Sequence, residues 1–110
     1  MGIVKTELFS NEQNELADIL KVLGHPARIA IIDYIKNSSS CINTDLVQEL
    51  GLAQPTISQH LKELKRLDFI KGSIQGKSIS YCLNNEKWNE ANKQITNWLN
   101  KSETIKNKKC

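Results

Sequence analysis

Apolar residues recur at helical spacing in five places along the chain and alternate in one. Leu16, Ile19, Leu20 and Leu23 share one face of a helix predicted over Asn11 to Leu23, with acidic residues in its first turns, where the helix dipole favours them. Gly24-His25 breaks that pattern, and Pro26 opens the next helix, PARIAIIDYIKN. Its Ile29, Ile31, Ile32 and Ile35 occupy most of the circumference, which predicts a helix at the centre of the domain. Leu46, Val47 and Leu50 make a third, short stripe that ends at Gly51, where a left-handed residue is cheapest. Ile57, Leu61 and Leu64 make the fourth stripe, behind a first-turn Pro55. From Phe69 to Leu83 the period changes to two, with Ile79, Tyr81 and Leu83 expected inward and Ser80 and Cys82 outward. Gln75-Gly76-Lys77 supplies the turn of a β-hairpin there. Asn84 or Asn85 then caps a last helix, on which Trp88, Ala91, Ile95, Trp98 and Leu99 share a face.

Two short helices joined by a tight turn and followed directly by a hairpin predict a mainly α fold with a small β wing. The expected architecture is a winged helix–turn–helix of five helices plus a β-hairpin, dimerising through its terminal helices. Residues 1–10 are expected to be a disordered N-terminal arm, 11–102 the DNA-binding and dimerisation domain, and 103–110 a flexible basic tail. Both tryptophans lie on the last helix, and Trp is enriched at interfaces. A homodimer interface is therefore expected from Leu16, Ile19 and Leu20 of the first helix with Trp88, Ile95, Trp98 and Leu99 of the last.

The outer face of the fourth helix carries the chemistry. Opposite its apolar stripe stand Ser58, Gln59, Lys62 and Arg66, with Thr56 at its start. Such side chains read base edges or neutralise phosphates, and no core needs them there. The net charge of +3 is too small to establish nucleic-acid binding alone, but its distribution is informative. Glu7, Glu12, Glu15 and Asp18 lie early, whereas Lys62, Lys65, Arg66, Lys71 and Lys77 crowd the fourth helix and the wing.

Composition narrows the class further. At 110 residues one modest core is available. No run approaches the ~20 apolar residues of a membrane span, and the start shows no signal-peptide pattern, so a cytoplasmic protein without membrane contact is expected. Gly-rich phosphate loops, His-Glu-x-x-His and nucleophile elbows are missing, which argues against an enzyme. Three cysteines, Cys41, Cys82 and Cys110, do not suggest a disulfide framework in that compartment.

The stretches LGHPARIAIIDYI, DLVQELGLAQPTISQHLKELKRLDFI and KGSIQGKSISYCL together resemble the ArsR/SmtB family of bacterial winged-helix repressors. The resemblance covers about residues 11 to 100, and Gln54-Pro55-x-x-Ser58-x-His60-Leu61 with His25-Pro26-x-Arg28 is its most specific part. It implies a dimeric repressor that needs no cofactor to bind an imperfectly palindromic double-stranded operator. A metal ion, metalloid or redox signal would release it. It also implies DNA contacts from Gln54, Thr56, Ser58, Gln59 and Lys62.

From the residues themselves, Gln59 suits the N6/N7 edge of adenine, while Lys62, Lys65, Arg66 and the wing's Lys77 suit phosphates. His60 borders the apolar stripe; a core-edge hydrogen bond, a phosphate contact and metal ligation are all open to it. Arg28 could meet either a phosphate or a carboxylate within the fold.

The family's Cys-x-Cys-Asp-Leu thiolate site falls on Ile42-Asn43-Thr44-Asp45-Leu46, and the last helix has no His, so neither familiar metal site is present. Winged-helix domains lay a short strand against the last strand of the wing. If Cys41-Ile42 is that strand with Ile42 inward, Cys41 and Cys82 share its outer face. With Cys110 from the tail they would offer three thiolates to As(III) or Sb(III), the first expectation for an effector. A disulfide or persulfide switch between Cys41 and Cys82 is the alternative, as is a regulator with no small effector.

Overall fold

The computed structural model describes residues 8–38, 41–42, 50–75 and 78–101. Four helices and a three-stranded sheet lie among them: α1 (Asn11–Leu23), α2 (Pro26–Asn37), β1 (Cys41–Ile42), α3 (Gln54–Arg66), β2 (Ile70–Gln75), β3 (Ser78–Leu83) and α4 (Asn85–Asn100). The fifth expected helix, with Leu46 and Val47, falls on residues 43–49 and so outside the described ones. The expected tail and the first seven residues of the arm are likewise outside.

Each helix begins where its residues can satisfy the first amides. Ser10 caps α1: its Oγ accepts from the Gln13 N–H at 3.0 Å, and Gln13 Oε1 accepts from the Ser10 N–H at 3.0 Å. α1 ends at Gly24, where a Cβ would stand 2.7 Å from the Leu20 carbonyl oxygen, a space only glycine fits without a shift. His25 caps α2, its Nδ1 accepting from the Ala27 N–H at 3.1 Å, and Pro26 takes the first turn. Asn84 caps α4 through its Oδ1, which accepts from the Lys87 N–H. Gly51 has φ 68°, the left-handed conformation anticipated for that position.

The end of α3 is a Schellman turn without glycine. Phe69 N–H donates to the Leu64 carbonyl and Asp68 N–H to that of Lys65, with Asp68 at φ 61°. A short polar side chain tolerates that conformation better than most. The turn drops Phe69 into the core and starts β2 immediately after the helix.

The strands are antiparallel in the order β1-β3-β2. Ile70 and Ile42 are buried on the inner face, with Tyr81 and Leu83 packed partly against the same core. That core joins Ile19 and Val22 of α1, Ile31, Ile32 and Ile35 of α2, Ile57, Leu61 and Leu64 of α3, Phe69, and Ala91 of α4.

Two apolar expectations fail. Ile29 is 51% exposed, so α2 is buried along one side and not around its circumference. Ile79, expected inward, is 37% exposed, and its cross-strand partner Ile74 is 78% exposed. The ladder continues towards the hairpin turn beyond the buried end of the sheet, and alternation alone cannot tell where the underlying core stops. No described helix is long and apolar enough to cross a membrane.

Candidate nucleic-acid interface

Helix α3 buries one stripe and presents the rest. Ile57, Leu61 and Leu64 are at most 5% exposed, whereas Gln54, Pro55, Thr56, Ser58, Gln59, Lys62 and Lys65 are all exposed. The N-cap of α3 is Ala53, and it makes no side-chain bond to the helix amides. Gln54 instead donates from Nε2 to Ser58 Oγ at 3.3 Å, along the outer face. An uncapped helix start beside polar side chains leaves backbone N–H groups available to an anion. Lys65 leans towards the wing: a Cβ at Gly72 would come 3.5 Å from its Nζ.

Two residues expected on the DNA side have other commitments. Arg66 makes a bidentate pair with Asp18 of α1, at 2.9 and 3.2 Å, and donates from Nε to Glu63 Oε2 at 3.0 Å. Its charge is thereby directed at two carboxylates, which raises its pKa above the ordinary range. In turn, the hydrogen bond from Arg66 lowers that of Glu63. His60 is 8% exposed and completes the buried stripe at i+3 from Ile57. Its Nδ1 accepts from Arg28 Nε at 3.1 Å, which requires the Nε2–H tautomer, and Arg28 also donates to the Val22 carbonyl at 3.1 Å. The His25 ring stands 4.4 Å away, centroid to centroid. Burial foremost, then His25 and Arg28, lowers the His60 pKa. His60 and Arg28 are thus bonded to each other within the fold. Arg28, however, meets an imidazole and a carbonyl instead of a carboxylate. The expected phosphate contact from Lys77 lies outside the described residues.

Sequence reasoning missed this His25–Arg28–His60 cluster as a unit. The available signal was His60 at a stripe position, with an arginine in the first turn of a neighbouring helix.

The terminal helices divide the expected dimer residues. Ile19 is in the core, and Trp88 packs on Phe69 at 5.1 Å between centroids, with Lys36 Nζ 4.8 Å from its ring. Leu16 and Ile95 are half-buried, while Leu20, Trp98 and Leu99 are 38%, 51% and 55% exposed. An open cleft lined by Ser10, Leu16, Gln94 and Trp98 runs between α1 and α4.

Cys41 and Cys82 are cross-strand partners on the outer sheet face, and they are joined by a disulfide with Cα atoms 4.0 Å apart. Cys110 lies outside the described residues, and no cluster of three or more His, Cys, Asp or Glu able to hold a metal occurs among those described.

A helix with a polar outer face over a buried stripe, followed at once by a β-wing, is the winged-helix arrangement. Residues 25–71 match the bacterial regulatory protein, arsR family, description. The transcriptional repressor PagR of Bacillus anthracis is 36% identical over 83 residues, which span 76% of this chain and 81% of PagR. The chain belongs to the arsR family of bacterial regulatory proteins, a regulatory family and not a family of enzymes. The transcriptional repressor SmtB of Mycobacterium tuberculosis is 38% identical over 66 residues, covering 60% of this chain but only 48% of SmtB. The chain thus spans about half the length of that relative. A crystal structure of an ArsR family transcriptional regulator superposes with TM-score 0.69 at 18% identity, covering 89% of this chain and 96% of the other, a likeness of fold.

Proposed function

We propose that the chain is a sequence-specific, DNA-binding transcriptional repressor acting as a homodimer on an imperfectly palindromic operator. The observation that carries this reading is the outer face of α3, where Thr56, Ser58, Gln59 and Lys62 are all exposed above a fully buried stripe. Gln59 reads a base edge, Thr56 and Ser58 meet bases or phosphates, and Gln54, Lys62 and Lys65 hold the backbone, with Lys77 reaching a flanking phosphate from the wing. We leave His60 and Arg66 out of the contact set because His60 Nδ1 accepts from Arg28 and Arg66 pairs with Asp18 within the fold. PagR and SmtB are both repressors, which supports the direction of control.

Dimerisation uses Leu20, Trp98 and Leu99, with Leu16 and Ile95 behind them. It sets two copies of α3 about one DNA turn apart. Such a regulator works in the cytoplasm, where its DNA is. The test is fluorescence anisotropy against duplexes drawn from a random pool. Binding must concentrate on a two-fold related motif and weaken steeply with salt. A protein that shows no duplex affinity at low ionic strength would refute the reading.

For the effector, a three-thiolate As(III) or Sb(III) site requires Cys41 and Cys82 reduced and Cys110 brought to them. The adjacency of the first two on one sheet face favours that reading for the reduced protein. Arsenite titration of the reduced protein–DNA complex tests it; no release by arsenite would remove it.

A further inference from the structure

We propose that Asp18 is a positioning residue of the DNA contact: it holds the Arg66 guanidinium off the phosphates and so limits sequence-independent binding. The inference rests on the DNA-repressor reading and assigns part of its selectivity to α1, a helix outside the reading motif.

Helical register puts Arg66 on the reading stripe. It stands four residues after Lys62 and seven after Gln59, so the three share one face of α3, and Arg66 is exposed. A free arginine there would meet the same backbone that Lys62 is proposed to hold. Its guanidinium is turned away instead. Nη1 and Nη2 donate to the two carboxylate oxygens of Asp18 at 3.2 and 2.9 Å, and Nε donates to Glu63 Oε2 at 3.0 Å. Each of the three nitrogens thus has an anionic partner, in the fork geometry that a phosphate would also have to use. The same two carboxylates set negative charge at the edge of the stripe, where it opposes an approaching phosphate.

The clamp lies at the surface, with the side chains of Arg66, Asp18 and Glu63 46%, 39% and 35% exposed. Ion pairs this open contribute little to stability. α1 and α3 are already joined through Ile19, Val22, Ile57 and Leu61, which belong to one core. The pair is therefore not what holds the two helices together, and its larger effect falls on what approaches from outside.

That effect follows from counterion release. Each phosphate contact strengthens binding to any duplex and carries no sequence information. A repressor must find its operator among a great excess of other sites, and an added contact of this kind holds it at those sites too. Lys62 and Lys65 remain exposed and supply the docking charge. With Arg66 clamped, a larger share of the affinity has to come from the side chains that read bases.

The experiment uses the full chain and two duplexes of one length, one selected from a random pool by the wild-type protein and one scrambled. Anisotropy titrations are run across a salt series. Asp18→Asn is expected to bind the scrambled duplex more tightly at low salt, with the slope of log affinity against log salt steeper by about 0.9 for each protomer engaged. Between about 50 and about 200 mM salt, that is an extra loss of about 3.5-fold per protomer. Adding Arg66→Gln to Asp18→Asn restores the wild-type slope, and Arg66→Gln alone lowers it by less than Lys62→Ala does. Glu12→Gln, the same charge change elsewhere on α1, leaves the slope as it was. An Asp18→Asn slope equal to the wild type's would overturn the proposal, as would a steeper slope that survives Arg66→Gln or appears equally in Glu12→Gln. An Arg66→Gln loss as large as that of Lys62→Ala would also overturn it, and that comparison needs no change in α1. A wild-type protein without duplex affinity at low ionic strength would sink the DNA reading instead.

Discussion

Arg28 donates from Nε to Nδ1 of His60 across 3.1 Å, tying the first turn of α2 to the middle of α3. The same guanidinium donates to the Val22 carbonyl, so one side chain fixes the placement of α3 against both α1 and α2. Arg28→Ala leaves an imidazole nitrogen and a carbonyl without a donor at a partly buried site. The expected cost is about 1–3 kcal/mol of stability, read as a lower urea midpoint at unchanged m-value.

The same pair sets a pH dependence. His60 has its pKa lowered from 6.5 by burial first and by His25 and Arg28 after it, so the unfolded chain takes up this proton before the folded one does. Stability is then flat above about pH 6.5 and falls as the pH drops below it through the lower folded-state pKa. Glu63 titrates in a separate window, since its pKa is lowered from 4.5. Thermal melts between pH 5 and 8 should show the decline in the wild type and a weaker one in His60→Gln.

Exposed residues of α3 should separate specificity from affinity. Gln59→Ala is expected to weaken the selected duplex by about 1–3 kcal/mol and relax one position. Lys62→Ala should weaken every duplex alike and reduce the salt slope by about one. Anisotropy titrations on selected and scrambled duplexes distinguish these; equal losses on both for Gln59→Ala would remove it as a base reader.

Trp98 is half exposed on α4, beside the cleft that α4 forms with α1. Trp98→Arg should shift the protein from dimer to monomer in sedimentation velocity with its circular dichroism unchanged. Trp88→Phe, whose ring packs on Phe69 within the domain, should leave the dimer intact.

Asp68, at φ 61°, gives a control on backbone conformation. Asp68→Gly should be neutral or slightly stabilising, and Asp68→Val destabilising by about 1–2 kcal/mol, as read by urea denaturation.

Much of this arrangement was legible from local spacing. The stripe of Ile57, Leu61 and Leu64 defined which side of α3 faces outward, and period-two alternation put Cys41 and Cys82 on one sheet face. Where local spacing misled, distant parts of the chain were deciding. Ile29 and Ile79 read as inward residues, yet both are exposed, because a pattern says which face a residue shares and not what covers that face. Trp88 read as an interface residue, and the spacing did not show that its ring packs on Phe69, 19 positions earlier, at the foot of the wing.

Periodicities of 3.6 and 2.0 follow from backbone geometry alone, so the order of elements, the polar face of α3 and the wing follow from the sequence by itself. Which polar groups meet does not. Arg28 finds His60 from 32 residues away, and Arg66 finds Asp18 from 48 away. Hydrogen bonds require contact within a few ångströms, and only the packing of helices and strands against one core brings such distant residues that close.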